Sequence, residues 1–147
     1  SRRAGDCTWR ILVGHNISEE DFQDYQDRAG EGVIVERARP DFTGMLKRAR
    51  LSVSQAGYNT ILDILDAGVP SVLVPFAQAT ETEQAQRAKA LAARDRVVVA
   101  EEHNLTTEKL AQAADDALAL PRSHHHVLLG GADRSADILM EDLKARG

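Results

Sequence analysis

A short polar segment, Ser54–Thr60 (SQAGYNT), joins an apolar strand pattern to an apolar helix pattern. Gly57 has no side chain, so a ligand can approach the backbone closely at this position. The N–H groups at the start of the following helix are unpaired donors, and together with the helix dipole they favour an anion such as a phosphate. Ser54, Asn59 and Thr60 can add hydroxyl or amide donors. The segment therefore predicts a phosphate-binding turn.

Asp63 follows the segment by about one helical turn, where its carboxylate can accept hydrogen bonds from the hydroxyls of a sugar. A second interpretation needs no ligand, because Gly, Asn and Thr often occupy such turns for geometry and capping alone. Both interpretations remain open at this point. The sequence contains neither the Walker pattern Gly-x4-Gly-Lys-Ser/Thr nor Gly-x-Gly-x-x-Gly, so no motif supports an NTPase or a dinucleotide dehydrogenase.

Strand patterns alternate with amphipathic helix patterns along the chain, and several of the strands are apolar throughout. The predicted strands are Trp9–Gly14, Val33–Val35, Leu51–Ser54, Ser71–Phe76 and Val97–Val99. The predicted helices follow Ser18, Asp41, the polar turn (up to Gly68), Thr80 and Thr106, and a last one carries Ala136, Leu139, Met140 and Leu143. Continuously apolar strands indicate burial on both faces. The pattern predicts one three-layer α/β domain over residues 1–147, with a parallel sheet between two layers of helices.

Composition excludes several classes of function. The 147 residues carry a net charge of −5 and no cluster of Lys and Arg, so nucleic acid is not an expected partner. Cys7 is the only cysteine, which rules out an intrachain disulfide. No apolar run approaches the roughly 20 residues of a membrane span, and no signal-peptide pattern is visible. We therefore expect a cytoplasmic protein without a membrane span.

An ordered string of motifs resembles a known enzyme family. The string SVSQAGYNTILDILDAGVPSVLVPF, followed by ETEQAQRAKAL, is similar to the C-terminal, donor-binding domain of family 28 glycosyltransferases, which have the GT-B fold. The resemblance spans roughly residues 35 to 118. It implies a Rossmann-like domain that forms the C-terminal half of a GT-B enzyme and is incomplete at its N-terminus.

The resemblance also implies a donor site for a nucleotide sugar, with a UDP-sugar as the expected donor. The turn from Ala56 to Thr60 matches the turn that contacts the diphosphate in the family. Asp63 falls where the family usually has a Glu that holds the ribose hydroxyls, and its side chain is shorter. Glu83 and Gln84 match the polar pair that contacts the donor sugar in the family. Arg39 and Phe42 fall where the family contacts the base.

Two of these matched residues have explanations that need no ligand. Glu83 can form a capping box with Thr80 at the start of a helix, and Arg87, one turn later, can pair with Glu83. Tyr58 can stack on a ligand or pack as a half-buried aromatic residue, and packing is the favoured interpretation. The donor role of Glu83 and its capping role are compatible with each other.

The implied reaction is an inverting, metal-independent glycosyl transfer. A helix N-terminus can stabilise the departing diphosphate without a metal ion, and the chain has no Asp-x-Asp motif for a divalent ion. His124–His126 are adjacent in a predicted loop and do not share a face, so we expect no metal site there. We expect no cofactor, and the sequence assigns no catalytic residue.

The family's Gly-rich loop before the first strand is not found, and neither is its acceptor-binding N-terminal domain. We therefore expect a fragment of a larger enzyme that does not turn over alone and that needs this domain, or a partner subunit, for the acceptor. Two alternatives remain. The first is a noncatalytic subunit that binds a nucleotide sugar or a partner protein. The second is a part of a sugar-nucleotide epimerase with a GT-B-like fold.

Overall fold

The computed structural model describes residues 7–76 and 81–122, in which helices alternate with parallel strands. The elements in chain order are β1 (Trp9–Val13), α1 (Glu19–Arg28), β2 (Val33–Arg37), α2 (Phe42–Arg48), β3 (Ser52–Gln55), α3 (Tyr58–Ala67), β4 (Ser71–Val74), α4 (Glu81–Ala92), β5 (Val98–Val99), a 3-10 turn (Glu102–Asn104) and α5 (Thr107–Leu118). This order confirms the predicted α/β fold class. The last predicted helix, the Thr80 cap and His124–His126 lie outside the described residues.

The chain forms two compact units, and the boundary between them lies between Phe42 and Thr43. The N-terminal unit contains a two-stranded parallel sheet of β1 and β2, in which Ile11 lies opposite Val35. Val35 is buried, whereas Ile11 is exposed. The C-terminal unit holds the elements from β3 to α5.

Helix α1 of the N-terminal unit begins at the cap that the sequence predicts. The Ser18 hydroxyl oxygen accepts a hydrogen bond from the Asp21 N–H at 3.0 Å, and the hydroxyl donates to the Asp21 carboxylate at 2.7 Å. From β2, the Arg37 guanidinium donates to the carbonyl of Ile17 at 2.8 Å and lies 4.4 Å from the centroid of the Phe22 ring. These contacts fix α1 against β2.

The C-terminal unit is built on a three-stranded parallel sheet in which β4 lies between β3 and β5. Ser54 pairs with Leu73, and Leu73 pairs with Val99. Ser71, Val72 and Leu73 are fully buried, as expected for a central parallel strand that is covered on both faces.

Apolar helix faces cover this sheet. Helix α3 buries Ile61, Ile64 and Leu65, which lie three and four residues apart. It ends at Gly68, whose φ of 61° is in the left-handed region that glycine adopts readily. Around α5, the core contains Val72, Ala100, Ala113 and Ala117, with Leu51, Val74, Val98, Leu105 and Leu110 packed against them.

Strand β4 ends two residues earlier than the sequence predicts. It stops at Val74 because Pro75 has no N–H to donate to a neighbouring strand. The next N–H, of Phe76, donates to the side-chain oxygen of Gln84 at 3.1 Å. The apolar pattern of the segment therefore continues past the hydrogen-bonded strand.

Strand β5 is also shorter than predicted and contains only Val98 and Val99. The chain leaves α4 through a tight turn in which the Arg96 N–H donates to the Leu91 carbonyl at 3.2 Å. This turn delays the start of the strand. In the described ranges, 7–76 and 81–122, no helix combines the length and the apolar composition needed to cross a bilayer.

Candidate functional site

Helix α3 starts directly after β3, and in the described part of the chain no side chain caps its first turn. Gly57 is the N-cap, and its carbonyl accepts the first intrahelical bond from the Ile61 N–H at 3.0 Å. By contrast, the side chains of Ser18 and Thr106 cap α1 and α5. Since the first N–H groups of a helix have no intrahelical acceptor, the start of α3 presents donors at the positive end of the helix dipole.

The glycine at this cap is not required by the fold. Gly57 has φ −65° and ψ 146°, which any residue can adopt. Among the residues that the structure describes, a Cβ atom built on Gly57 would meet only the hydroxyl oxygen of Thr60, at 3.9 Å, which is ordinary van der Waals contact. With respect to the described residues, the absence of a side chain therefore leaves space at the cap, where an anion would have to approach.

The side chains around the cap differ in how accessible they are. Asn59 is exposed and Thr60 is half-buried. The Ser54 hydroxyl lies 2.8 Å from the Ser52 hydroxyl within β3. Ala56, a predicted contact to the diphosphate, has 0% exposure as a whole residue, so neither its side chain nor its backbone is accessible to a ligand in this structure. The available donors at the turn are therefore the backbone N–H groups and the Asn59 amide, with Thr60 beside them.

Asp63 is held by a residue that the sequence analysis did not identify. The Thr43 hydroxyl, from α2, donates to the Asp63 carboxylate at 3.0 Å. One turn further along both helices, the Lys47 ammonium lies 3.1 Å from the Asp66 carboxylate. Thr43 and Asp63 are 20 residues apart in the chain, and no local pattern in the sequence signals such a contact.

The predicted donor-sugar pair lies on the first turns of α4. The Gln84 side-chain oxygen accepts the hydrogen bond from the Phe76 N–H and so fastens α4 to the end of β4. The Gln84 amide hydrogens are not used in this bond. The Glu83 side chain is 82% exposed, and its carboxylate lies 3.8 Å from the Arg87 guanidinium, which confirms the predicted pairing one helical turn apart.

Tyr58 and Arg87 connect the start of α3 to α4. The Arg87 guanidinium lies over the Tyr58 ring at 5.5 Å from its centroid, and its side chain is only 12% exposed. Within the described residues, the Tyr58 hydroxyl and the Arg87 Nε are buried without a hydrogen-bond partner. This contact agrees with the prediction that Tyr58 packs as a half-buried aromatic residue.

The two predicted base contacts belong to the N-terminal unit. Arg39 donates two hydrogen bonds to the Asp41 carboxylate, at 2.8 and 3.0 Å, and these bonds raise the pKa of Arg39. Arg39 also lies 3.4 Å from Glu36. A hydrogen bond from Arg10 holds the pKa of Glu36 below its ordinary value. Phe42, at the start of α2, is half-buried.

A groove of about 130 Å³ lies beyond the carboxyl ends of β4 and β5, and it is lined by Pro75, Phe76, Ala85, Lys89, Val99, Glu101, Glu102 and His103. None of the predicted site residues lines it. Within residues 7–76 and 81–122, no three His, Cys, Asp or Glu side chains are grouped as metal ligands would be.

Comparison with known proteins supports the resemblance found in the sequence. Residues 3–126 match the model of the glycosyltransferase family 28 C-terminal domain. One relative is the UDP-N-acetylglucosamine–N-acetylmuramyl-(pentapeptide) pyrophosphoryl-undecaprenol N-acetylglucosamine transferase of Phenylobacterium zucineum, which is 32% identical over 83% of this chain and 35% of its own length. The enzyme of the same name from Rhizobium johnstonii is 33% identical over 92% of this chain and 38% of its own length. The chain thus spans little more than a third of these relatives.

Solved structures of glycosyltransferases have the same fold. The MurG structure from Acinetobacter baumannii aligns with a TM-score of 0.60 at 20% identity, over 90% of this chain and 42% of that one. The glycosyltransferase of kitacinnamycin aligns with a TM-score of 0.58 at 19% identity, over 94% of this chain and 31% of that one. The fold is therefore the Rossmann-like C-terminal half of a GT-B enzyme. The chain belongs to glycosyltransferase family 28, as a C-terminal domain of that family.

Proposed function

We propose that this chain is the donor-binding part of a glycosyltransferase and that it holds the diphosphate of a UDP-sugar at the start of α3. The observation that carries the proposal is the first turn of α3, which no described side chain caps, with a glycine at its cap that neither its backbone conformation nor its packing against residues 7–76 and 81–122 requires. A diphosphate there would accept hydrogen bonds from the backbone N–H groups of Tyr58, Asn59 and Thr60. Family membership supports the assignment, because the relatives named above are UDP-N-acetylglucosamine transferases.

The rest of the donor would extend from this anchor. Asp63 would accept hydrogen bonds from the ribose hydroxyls, since its carboxylate is already oriented by Thr43. Glu83 and Gln84 would contact the donor sugar, Glu83 through an exposed carboxylate and Gln84 through its amide hydrogens. The assignment of Arg39 and Phe42 to the base stays a prediction from the resemblance.

The reaction would be an inverting displacement that needs no metal ion. The bond between the anomeric carbon and the diphosphate oxygen breaks, a bond from the acceptor oxygen to that carbon forms, and a base removes the acceptor proton. The N–H groups and dipole of α3 would stabilise the negative charge that develops on the departing diphosphate. The base and the acceptor site would come from another domain or from a partner subunit.

Titration calorimetry tests the donor site directly. The chain is titrated with UDP, UDP-N-acetylglucosamine and inorganic pyrophosphate, each with and without EDTA. We expect all three to bind, and we expect EDTA to leave the affinities unchanged. Asp63→Ala should weaken the binding of UDP and leave pyrophosphate unaffected, because only UDP carries a ribose. A wild-type chain that binds neither UDP nor its sugar conjugate would overturn the proposed function.

A further inference from the structure

We propose that Thr43 is a positioning residue for the donor site. Its hydroxyl orients the Asp63 carboxylate toward the ribose hydroxyls and so sets the preference of the site for a ribonucleotide. The inference rests on the proposed function, because it assigns a role within the same donor site. The experiment below distinguishes a failure of the role of Thr43 from a failure of the proposed function.

The contact between Thr43 and Asp63 engages one of the two carboxylate oxygens of Asp63 in a hydrogen bond. The Thr43 hydroxyl reaches Oδ1 of Asp63 at 3.0 Å, and both side chains are partly buried. A carboxylate has two oxygens and about four acceptor positions, so this single bond leaves the second oxygen able to accept from a ligand. Because the side chain of Asp has only two torsions, a hydrogen bond on Oδ1 restricts the directions in which Oδ2 can point.

The position of Asp63 along α3 places this carboxylate near the proposed anion site. It lies six residues after the Gly57 cap, which corresponds to about 9 Å along the helix axis. Asp63 is therefore on the same helix as the proposed diphosphate contacts and less than two turns away from them. Thr43 approaches Asp63 from α2.

A purely structural role for Thr43 can be separated from a positioning role, because α2 and α3 have a second polar contact. Lys47 and Asp66 form an ion pair at 3.1 Å one turn away, and neither residue belongs to the proposed donor site. If Thr43 only joins the two helices, breaking either contact should affect stability alone and leave the recognition of the ribose unchanged. If Thr43 orients Asp63, only its loss should change the recognition of the ribose.

The experiment compares the binding of UDP and 2′,3′-dideoxy-UDP to the 147-residue chain by calorimetry. Thr43→Val removes the hydroxyl and keeps the shape of the side chain, Thr43→Ser keeps the hydroxyl, and Lys47→Met breaks the second contact. Unfolding curves are recorded for each variant. Thr43→Ala replaces Thr43→Val if the valine variant does not fold.

We expect the wild-type chain to prefer UDP over dideoxy-UDP, and Thr43→Val to weaken UDP binding about tenfold with no change for dideoxy-UDP. Thr43→Ser should bind both ligands as the wild type does. Lys47→Met should lower the unfolding temperature without changing the preference. Equal losses for both ligands in Thr43→Val, or an unchanged preference, would overturn the role of Thr43 while UDP binding itself stands. A wild-type chain that does not bind UDP would instead remove the proposed function, and with it this inference.

Discussion

Gly57→Ala is the substitution that most clearly separates a ligand site from a structural turn. The variant adds a single methyl group at the cap of α3. In the described part of the chain, the nearest atom to this methyl group outside the neighbouring residues would be the Thr60 hydroxyl oxygen, at 3.9 Å, so these residues can accept it without displacement. A diphosphate bound to the first turn of the helix would meet the same methyl group at its closest approach to the backbone.

The expected magnitudes follow from these two environments. Alanine is a poorer N-cap than glycine, which costs up to about 1 kcal/mol, and it restricts the unfolded chain, which stabilises by about 0.4–1 kcal/mol. The free energy of unfolding should therefore change by less than about 1 kcal/mol. A hydrogen bond to a charged phosphate contributes about 1.5–3 kcal/mol, so losing one would weaken UDP binding by roughly ten- to a hundredfold.

Urea unfolding and UDP titration measure the two quantities on the same preparation. Gly30→Ala is the matched control, because a Cβ atom on Gly30 would meet no atom of the described residues within 4 Å and Gly30 belongs to no predicted site. We expect this control to bind UDP as the wild type does. Wild-type affinity in a folded Gly57→Ala chain would refute the claim that the cap is left open for a phosphate.

Three further predictions concern stability and its dependence on pH. Tyr58→Phe should raise the free energy of unfolding in urea by about 1 kcal/mol, because it removes a buried hydroxyl that has no hydrogen-bond partner in the described residues; a loss of stability would show that this hydroxyl is satisfied. Gly44→Ala, within α2, should stabilise by about 0.5–1 kcal/mol, since its Cβ would lie 3.7 Å from the Arg48 guanidinium, and a lower melting temperature would contradict this. The hydrogen bond from Arg10 lowers the pKa of Glu36 in the folded chain. The ionised Glu36 therefore stabilises the fold above the ordinary glutamate pKa, and this stabilisation is lost as the pH falls through the lowered pKa. Glu36→Gln should therefore lower the melting temperature more at neutral pH than at a pH of about 3, and an equal decrease at both values would exclude the charge as the cause.

Local patterns in the sequence predicted the elements that depend on neighbouring residues. The Ser18 cap and the end of α3 at Gly68 each depend on residues within about one helical turn, and the structure confirms both. The predicted end of β4 is wrong. The apolar run continues to Phe76, whereas the hydrogen-bonded strand stops at Val74, before Pro75. Apolar patterns report burial, whereas a strand boundary depends on which N–H groups can donate.

Contacts between segments that are distant in the chain could not be predicted. The bond between Thr43 and Asp63 joins residues whose sequence context gives no sign of each other. The same is true of the Arg87 guanidinium over the Tyr58 ring. The predicted site therefore included the turn, Asp63 and the pair on α4, but it missed Thr43, whose hydroxyl donates to Asp63. Such contacts depend on how the helices pack against each other. That packing is determined by all the core residues together and not by a local sequence pattern.

The most direct test of the account follows the backbone amide signals of the 147-residue chain by NMR during a titration with inorganic pyrophosphate. The account predicts that the N–H signals of Tyr58, Asn59 and Thr60 shift in a saturable manner. The N–H signals at the start of α5, where the Thr106 side chain already caps the helix, should stay in place. Shifts of equal size at both helix starts, or no saturable shift at the start of α3, would contradict the claim that this turn holds the diphosphate.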